Sequence, residues 1–273
     1  PSDRGEGTAQ AASSEPQPQA EGLSGLMGAS VQISRRLCAI ADMVTEGNRL
    51  VDVGCDHGYL PVYLKLQGRI PGAIATDVAE GPLSRARAHI EQYGLGSYIE
   101  TRRCNGLADI GHGEGDTLVI AGMGGPLMER ILTDGRSVWE DFQEMILQPQ
   151  SDIPHFRHFL LENGFRITEE EMILEDGKFY PILKVDRKTE EQILPWSIQE
   201  EMFGRFLLKK RHPVLKKYLK RELRIHEEIL ERLKEATGES AVKRKKEIEE
   251  ERQLILAALD RYESKGTDRV AGE

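Results

Sequence analysis

The chain changes texture three times, and the spacing of its apolar positions marks where. Residues 1–30 are rich in Gly, Ser, Ala, Gln and Pro and carry almost no large apolar side chains. Such a stretch cannot bury enough surface to offset its ordering entropy, so it reads as a disordered extension or a cloning remnant, with Met27 a candidate natural start. From Ser34 a helical pattern begins: Ser34 can cap a helix with Leu37, Ile40, Ala41 and Val44 on one face, ending near Gly47. A four-residue apolar run at 50–53 is short and bounded by turn residues, as a buried strand is. Further short runs lie at 73–76, 98–103, 117–121 and 145–147, and helical segments at 59–67, 82–93, 126–132 and 153–162 alternate with them. Strands alternating with helices predict βαβ units and a parallel sheet. Two last runs, 166–174 and 180–184, flank Asp176-Gly177 and predict an antiparallel hairpin that finishes the sheet.

After Trp196 the pattern becomes helical throughout. Leu215, Leu219, Leu223, His226, Leu230 and Leu233 alternate at three- and four-residue spacing, and Ala241, Ile248, Ile255, Leu259 and Tyr262 continue beyond Thr237-Gly238. That is the seam of an antiparallel coiled-coil hairpin, with Pro213 read as an interruption in its first helix. The expected organisation is an extension at 1–30, an α/β Rossmann-like domain at 31–192, a coiled-coil helical hairpin at 193–265 and a tail at 266–273.

Composition narrows the classes. No apolar run approaches the ~20 residues that span a bilayer, and no basic region with an apolar core opens the chain, so a cytoplasmic protein is expected. Cys38, Cys55 and Cys104 are far apart and form no CxxC pair, which argues against a structural metal or a disulfide framework. The net charge of −9 speaks against nucleic acid on average, but the charge is uneven. Lys209, Lys210, Arg211, Lys216, Lys217 and Lys220 crowd the first helix of the C-terminal segment, and Lys243-Arg244-Lys245-Lys246 opens the second. A basic helical arm on an acidic domain suits an RNA backbone, although Lys and Arg also pair with Glu on coiled-coil exteriors. A monomer is expected, with pairing of two chains through the coiled coil as the alternative.

The chemistry concentrates at the strand ends. Asp52-x-Gly54-x-Asp56-x-Gly58 follows the first strand, where glycine lets a backbone approach a nucleotide. An aspartate stands where a dinucleotide-binding turn would have its second glycine. Carboxylates there suit a ligand bearing a sulfonium and an ammonium and would repel a pyrophosphate, so S-adenosylmethionine is favoured over a dinucleotide. Asp77 closes the second strand, where an acidic residue can accept both ribose hydroxyls; the plainer role is to cap the helix after Val78, and one residue can do both. Asn105-Gly106 ends the third strand beside the adenine position. Ala121-Gly122-Met123-Gly124-Gly125 ends the fourth, leaving room for the methyl and a flat base. The expected cofactor set is Asp52, Gly54, Cys55, Gly58, Asp77, Val78, Asn105, Gly106, Leu107, Gly122, Met123 and Gly124.

The runs Val51-Asp52-Val53-Gly54-Cys55-Asp56-His57-Gly58-Tyr59-Leu60-Pro61, Ile120-Ala121-Gly122-Met123-Gly124-Gly125 and Leu147-Gln148-Pro149-Gln150 resemble the bacterial tRNA adenine-22 N1-methyltransferases (TrmK). The resemblance extends over about 33–262. It implies a Rossmann-like methyltransferase domain with a coiled-coil appendage, S-adenosylmethionine as donor and N1 of a tRNA adenine as acceptor. Two positions depart from the family: Asn105 stands where aspartate is usual, which weakens the expected cofactor contact, and Gly58 where alanine is usual. Adenine N1 already holds an in-plane lone pair, so positioning and electrostatics must supply most of the rate. Asp56 is the first candidate to accept from the exocyclic amine and favour the cationic product. His57 is expected to orient it and Tyr59 to stack on an extruded base. Each has a plainer role: Asp56 binding the methionine ammonium, His57 capping a loop, Tyr59 packing. A methyltransferase for a small molecule or protein, or a non-catalytic binding module using the arm as a platform, are the alternatives.

Overall fold

The computed structural model describes residues 31–187, 195–235 and 237–263. The expected extension, tail and domain boundary near 192 lie outside the described residues. The apolar runs form strands β1 (Leu50–Val53), β2 (Ala73–Asp77), β3 (Ile99–Arg103), β4 (Thr117–Met123) and β5 (Glu144–Pro149). Between them run helices α2 (Tyr59–Leu66), α3 (Glu80–Gln92) and α4 (Gly125–Asp134), with α1 (Arg35–Met43) before β1 and α5 (Ile153–Glu162) after β5. Ser34 caps α1 as expected, its Oγ accepting from Leu37 N at 3.2 Å. The hairpin β6 (Arg166–Glu175) and β7 (Lys178–Asp186) closes the sheet in the order β3-β2-β1-β4-β5-β7-β6. The first five strands pair in parallel, while β7 is antiparallel to both β5 and β6.

The two-residue period of a strand divides the core between the sheet's faces. Val51, Val53, Leu118, Ile120 and Leu147 meet Met128 and Leu132 of α4 and Phe156 and Leu160 of α5. Leu50, Ala75, Val119 and Ile146 meet Ile40 of α1, Leu64 of α2 and Leu83 of α3. Strand order reverses between β1 and β4, and the crevice beyond their carboxyl ends is where open α/β sheets bind ligands.

The C-terminal segment differs from the expectation in its first part. Two short helices, α6 (Ile198–Phe203) and α7 (Arg205–Lys209), precede the long pair α8 (Pro213–Arg232) and α9 (Glu239–Glu263). Ser197 and Glu200 form a capping box for α6, and Gly204, at φ +90°, breaks it from α7. Pro213 begins α8 instead of interrupting it, because a first-turn proline forfeits no helical hydrogen bond; His212 caps it through Nδ1, which accepts from Val214 N at 3.2 Å. The long helices pack on each other and on β6 through Leu215, Leu219, Ile255, Ala258 and Met172. His226, on the expected seam, is buried and its Nε2 lies 2.8 Å from Glu251 Oε2 of α9.

A buried ion pair fixes this unit to the sheet. Arg157 of α5 and Glu170 of β6 meet at 2.9 Å, both side chains about 1% exposed. Arg157 also donates to the carbonyls of Glu201 and Met202, and Glu170 accepts from Phe206 N. A side chain at Gly204 would collide with the Glu170 carboxylate.

Candidate active site

A cleft of about 260 Å³ opens at the reversal of strand order, between the ends of β1 and β4, the start of α2 and the first turn of α1. Asp52, Gly54, Cys55, Asp56 and Tyr59 line it from the β1–α2 side, Ala121, Gly122 and Gln150 from the β4–β5 side, and Arg36 and Leu37 from α1. Its floor needs glycine. Gly54 sits at φ +76°, and a Cβ there would overlap Met123 Cε; Gly122 sits at φ +80° where the chain bulges out of register with β5. Met123 therefore serves as packing under Gly54. Gly124 caps α4, and the Leu107 side chain is buried in the core, which leaves its backbone as the part open to a ligand.

Asp52 is 6% exposed in the wall of this cleft. Burial, with the nearby charge of Asp77 adding to it, pushes its carboxyl up to about 7. A carboxylate so placed gains most from a cationic ligand. Burial likewise pushes the Cys55 thiol up, so it is an inert wall and no nucleophile. Asp77 ends β2 and its Oδ1 accepts from Ala79 N at 2.9 Å, so the local turn role does exist, through one oxygen. Val78 beside it is 59% exposed, an apolar side chain open on the surface. Asn105 lies exposed in the turn after β3, next to Gly106 at φ +62°. Gly58, at φ +65°, has ordinary van der Waals room for a methyl against Ala86, so alanine fits the space and glycine relieves the backbone.

The three candidate catalytic residues come together on the turn into α2. Asp56 takes φ +48° and is 65% exposed in its side chain. Arg85 of α3 donates to its Oδ1 at 3.2 Å, and no hydrogen bond among the described residues engages Oδ2. His57 Nε2 stands 3.7 Å from Oδ1, an electrostatic contact and not the orienting hydrogen bond expected of it. His57 and Tyr59 stack at 5.3 Å, and Tyr59 meets the ring of His89 edge-on at 4.8 Å. Burial holds the His89 imidazole below its ordinary value, and its Nδ1 lies 3.1 Å from the His57 carbonyl. A carbonyl only accepts, so Nδ1–H donates, tying α3 to the turn.

Three of these contributors escaped the sequence pattern. Arg36, Arg85 and His89 belong to none of the runs singled out above and reach the site only through the fold. Gln148 is fully buried, and its Oε1 accepts from Arg36 Nη1 at 2.9 Å, while Gln150 of the same run lines the cleft. Of the basic set, Lys210 donates to Glu170 O and Glu171 Oε2, and Lys216 lies over the Tyr262 ring. Lys209, Arg211, Lys217 and Lys220 are exposed and make no ion pair among the described residues. No cluster of metal-ligating side chains occurs among the described residues, and none of the helices they form is long and apolar enough to cross a membrane.

A seven-stranded, mainly parallel sheet with a glycine-floored, carboxylate-walled cleft at its switch point defines the class of Rossmann-like methyltransferases. Residues 50–256 match the family model described as tRNA (adenine(22)-N(1))-methyltransferase, TrmK, and the chain belongs to that family. The tRNA (adenine(22)-N(1))-methyltransferase of Bacillus subtilis is 33% identical over 233 residues, covering 84% of this chain and 98% of that protein. The crystal structure of the B. subtilis M1A22 tRNA methyltransferase TrmK superposes with a TM-score of 0.74 at 32% identity, over 85% of this chain and all of that one. A Streptococcus pneumoniae protein assigned as a tRNA (m1A22) methyltransferase, solved in complex with S-adenosyl-L-methionine, does so at 0.73 and 35% identity, over 84% of this chain and all of that one.

Proposed function

We propose that this chain transfers a methyl group from S-adenosylmethionine to N1 of adenine-22 in tRNA, with the cleft at the β1–β4 reversal as its active site. The observation that carries this reading is the cleft itself: a buried carboxylate, a glycine floor and an open rim of Asp56 and Tyr59, with His57 stacked on Tyr59 beside it. The residues fit the donor. Gly54 and Gly122 provide a floor that a Cβ would fill, and Asp52 is poised for an ammonium. Asp77 offers its remaining oxygen to a ribose, and exposed Val78 an apolar surface to the adenine.

When bound, S-adenosylmethionine supplies an electrophilic methyl on a sulfonium. The protein's own residues then have three tasks. Tyr59, braced by His57 and His89, holds an extruded base by stacking; base–aromatic stacking contributes about 1–3 kcal/mol. Asp56, fixed through one oxygen by Arg85, accepts from the exocyclic amine through the other and favours the positive charge that develops on the ring. No residue need remove a proton from N1, because its lone pair is free before reaction. Lys209, Arg211, Lys217 and Lys220 meet phosphates of the tRNA and position it without reading its sequence.

Transfer to unmodified tRNA transcripts by Tyr59→Phe and Tyr59→Ala tests the reading. Phe keeps the ring and is expected to keep activity within a few-fold, while Ala loses about 10- to 100-fold. Equal activity of Tyr59→Ala and the parent would remove Tyr59 from the substrate site.

A further inference from the structure

The ring of Tyr59 belongs to a series that leaves the cleft. Tyr59 lines the cleft and is 39% exposed. His57 stacks on it, His89 of α3 meets it edge-on at 4.8 Å, and Tyr93 meets His89 edge-on at 5.2 Å. His57, His89 and Tyr93 lie outside the lining of the cleft, so the series continues along α3 to the cap at its end. The fold sets these rings in place. His89 and Tyr93 are four residues apart, so they share one face of α3, about 6 Å apart along its axis. The start of α2 meets α3 through a glycine and an alanine: a methyl at Gly58 would stand 3.4 Å from Ala86 Cβ. The bond from His89 Nδ1–H to the His57 carbonyl then locks the two helices' rings together.

Burial explains only part of this. Tyr93 rests against the core beneath α3, yet it, His57 and His89 are half-buried and Tyr59 is exposed. Surface rings scattered singly are ordinary, whereas four in contact form a patch. Flat bases of an unpaired RNA strand are the partners that successive aromatic side chains take, and they need no particular sequence. Position says which base. With the adenine on Tyr59, the next base of a stacked strand lies about 3.4 Å further on. The steps from Tyr59 to His89 and from His89 to Tyr93 each exceed that spacing, so the next base falls within the series. Arg85, four residues before His89 on the same face, adds a half-exposed cation at the cleft end, where it also holds Asp56.

We propose that His89 and Tyr93 form a second stacking site, which takes the nucleotide next to the methylated adenine while Tyr59 takes the adenine itself. The protein then needs an unpaired neighbour on one side of its target. This rests on the reading of the cleft as the site of methyl transfer and adds a second substrate contact to it.

Methyl transfer to three unmodified tRNA transcripts tests it: the intact one, and two with an abasic nucleotide immediately before or after the adenine. Tyr93→Leu removes the ring and keeps apolar bulk against the core. His89→Asn removes the ring and keeps an N–H for the His57 carbonyl. On the intact transcript each is expected to raise KM about 5- to 50-fold and leave kcat within about three-fold. One of the two abasic transcripts should cost the unaltered protein a similar factor and cost the variants nothing further, because base and ring are lost as a pair. Variants that lose the same factor on all three transcripts would overturn the proposal, since the rings would then only brace Tyr59. A second measurement needs no variant and serves if both fold poorly, which thermal melting reads. Photolysis of the complex with 5-iodouridine on either side of the adenine should crosslink one of the two neighbours to His89 or Tyr93. Crosslinks from both neighbours that map only elsewhere would also overturn it. Absence of transfer to the intact transcript by the unaltered protein is a different result and would sink the methyl-transfer reading itself.

Discussion

At the scale of single residues, the β1–α2 turn joins a strained backbone to a frustrated charge. Gly54 is required twice over, by its positive φ and by Met123 beneath it. Gly54→Ala is expected to cost about 1–3 kcal/mol in urea unfolding and to lose S-adenosylhomocysteine binding with it. Asp52 makes that binding depend on pH. On the proposed reading a cationic tail pairs with the ionised carboxylate, which burial pushes up to about 7 in the free protein. Affinity should therefore be full above pH 7 and fall as pH drops through it, approaching tenfold per unit, with Asp52→Asn weak and flat. Stability of the free protein runs the other way. The folded value lies above the ordinary 3.8, so the stability linked to this carboxyl is present below about 4 and lost as pH rises to about 7. Asp56→Asn should keep S-adenosylhomocysteine affinity while kcat falls about 100-fold; full activity with normal affinity would remove Asp56 from catalysis. Most of this turn was legible in sequence because consecutive residues at a strand end share one fate. Arg36, Arg85 and His89 were not, since helices distant in sequence bring them in.

At the scale of elements, periodicity was a sound guide where one face is buried. The strand runs and α1 to α5 lie close to where their apolar spacing predicts, because the central strands β1, β4 and β5 are buried along most of their length. It missed the 3-10 turn Arg136–Asp141, and it ran α6, α7 and α8 together as one helical stretch. The Gly204 break and the Pro213 start were overlooked because Leu and Lys continue through them. The buried Arg157–Glu170 pair explains why the chain turns so sharply there. Removing one member leaves a buried charge unpaired, so Arg157→Met is expected to lose about 3–5 kcal/mol. Replacing both should cost less than the single change. A denaturation series on the two singles and the double reads this directly, and equal losses in all three would show that the charges are not coupled.

At the scale of the whole molecule, an acidic total charge conceals a basic face. The chain carries −9 overall, yet Lys209, Arg211, Lys217 and Lys220 stand exposed on α7, α8 and the turn between them, with no acidic partner among the described residues. Changing all four to Gln is expected to raise KM for tRNA at least tenfold, leave kcat nearly unaltered and lower the salt slope of binding by about one per side chain. The same change should leave S-adenosylhomocysteine binding alone, because none of the four lines the cleft. The most direct measurement of the account is to incubate the protein with labelled S-adenosylmethionine and unmodified tRNA, digest the RNA and locate the label. The account predicts 1-methyladenosine at position 22, and none in a transcript with guanine there. Label on another base, or only on protein or a small molecule, would contradict it.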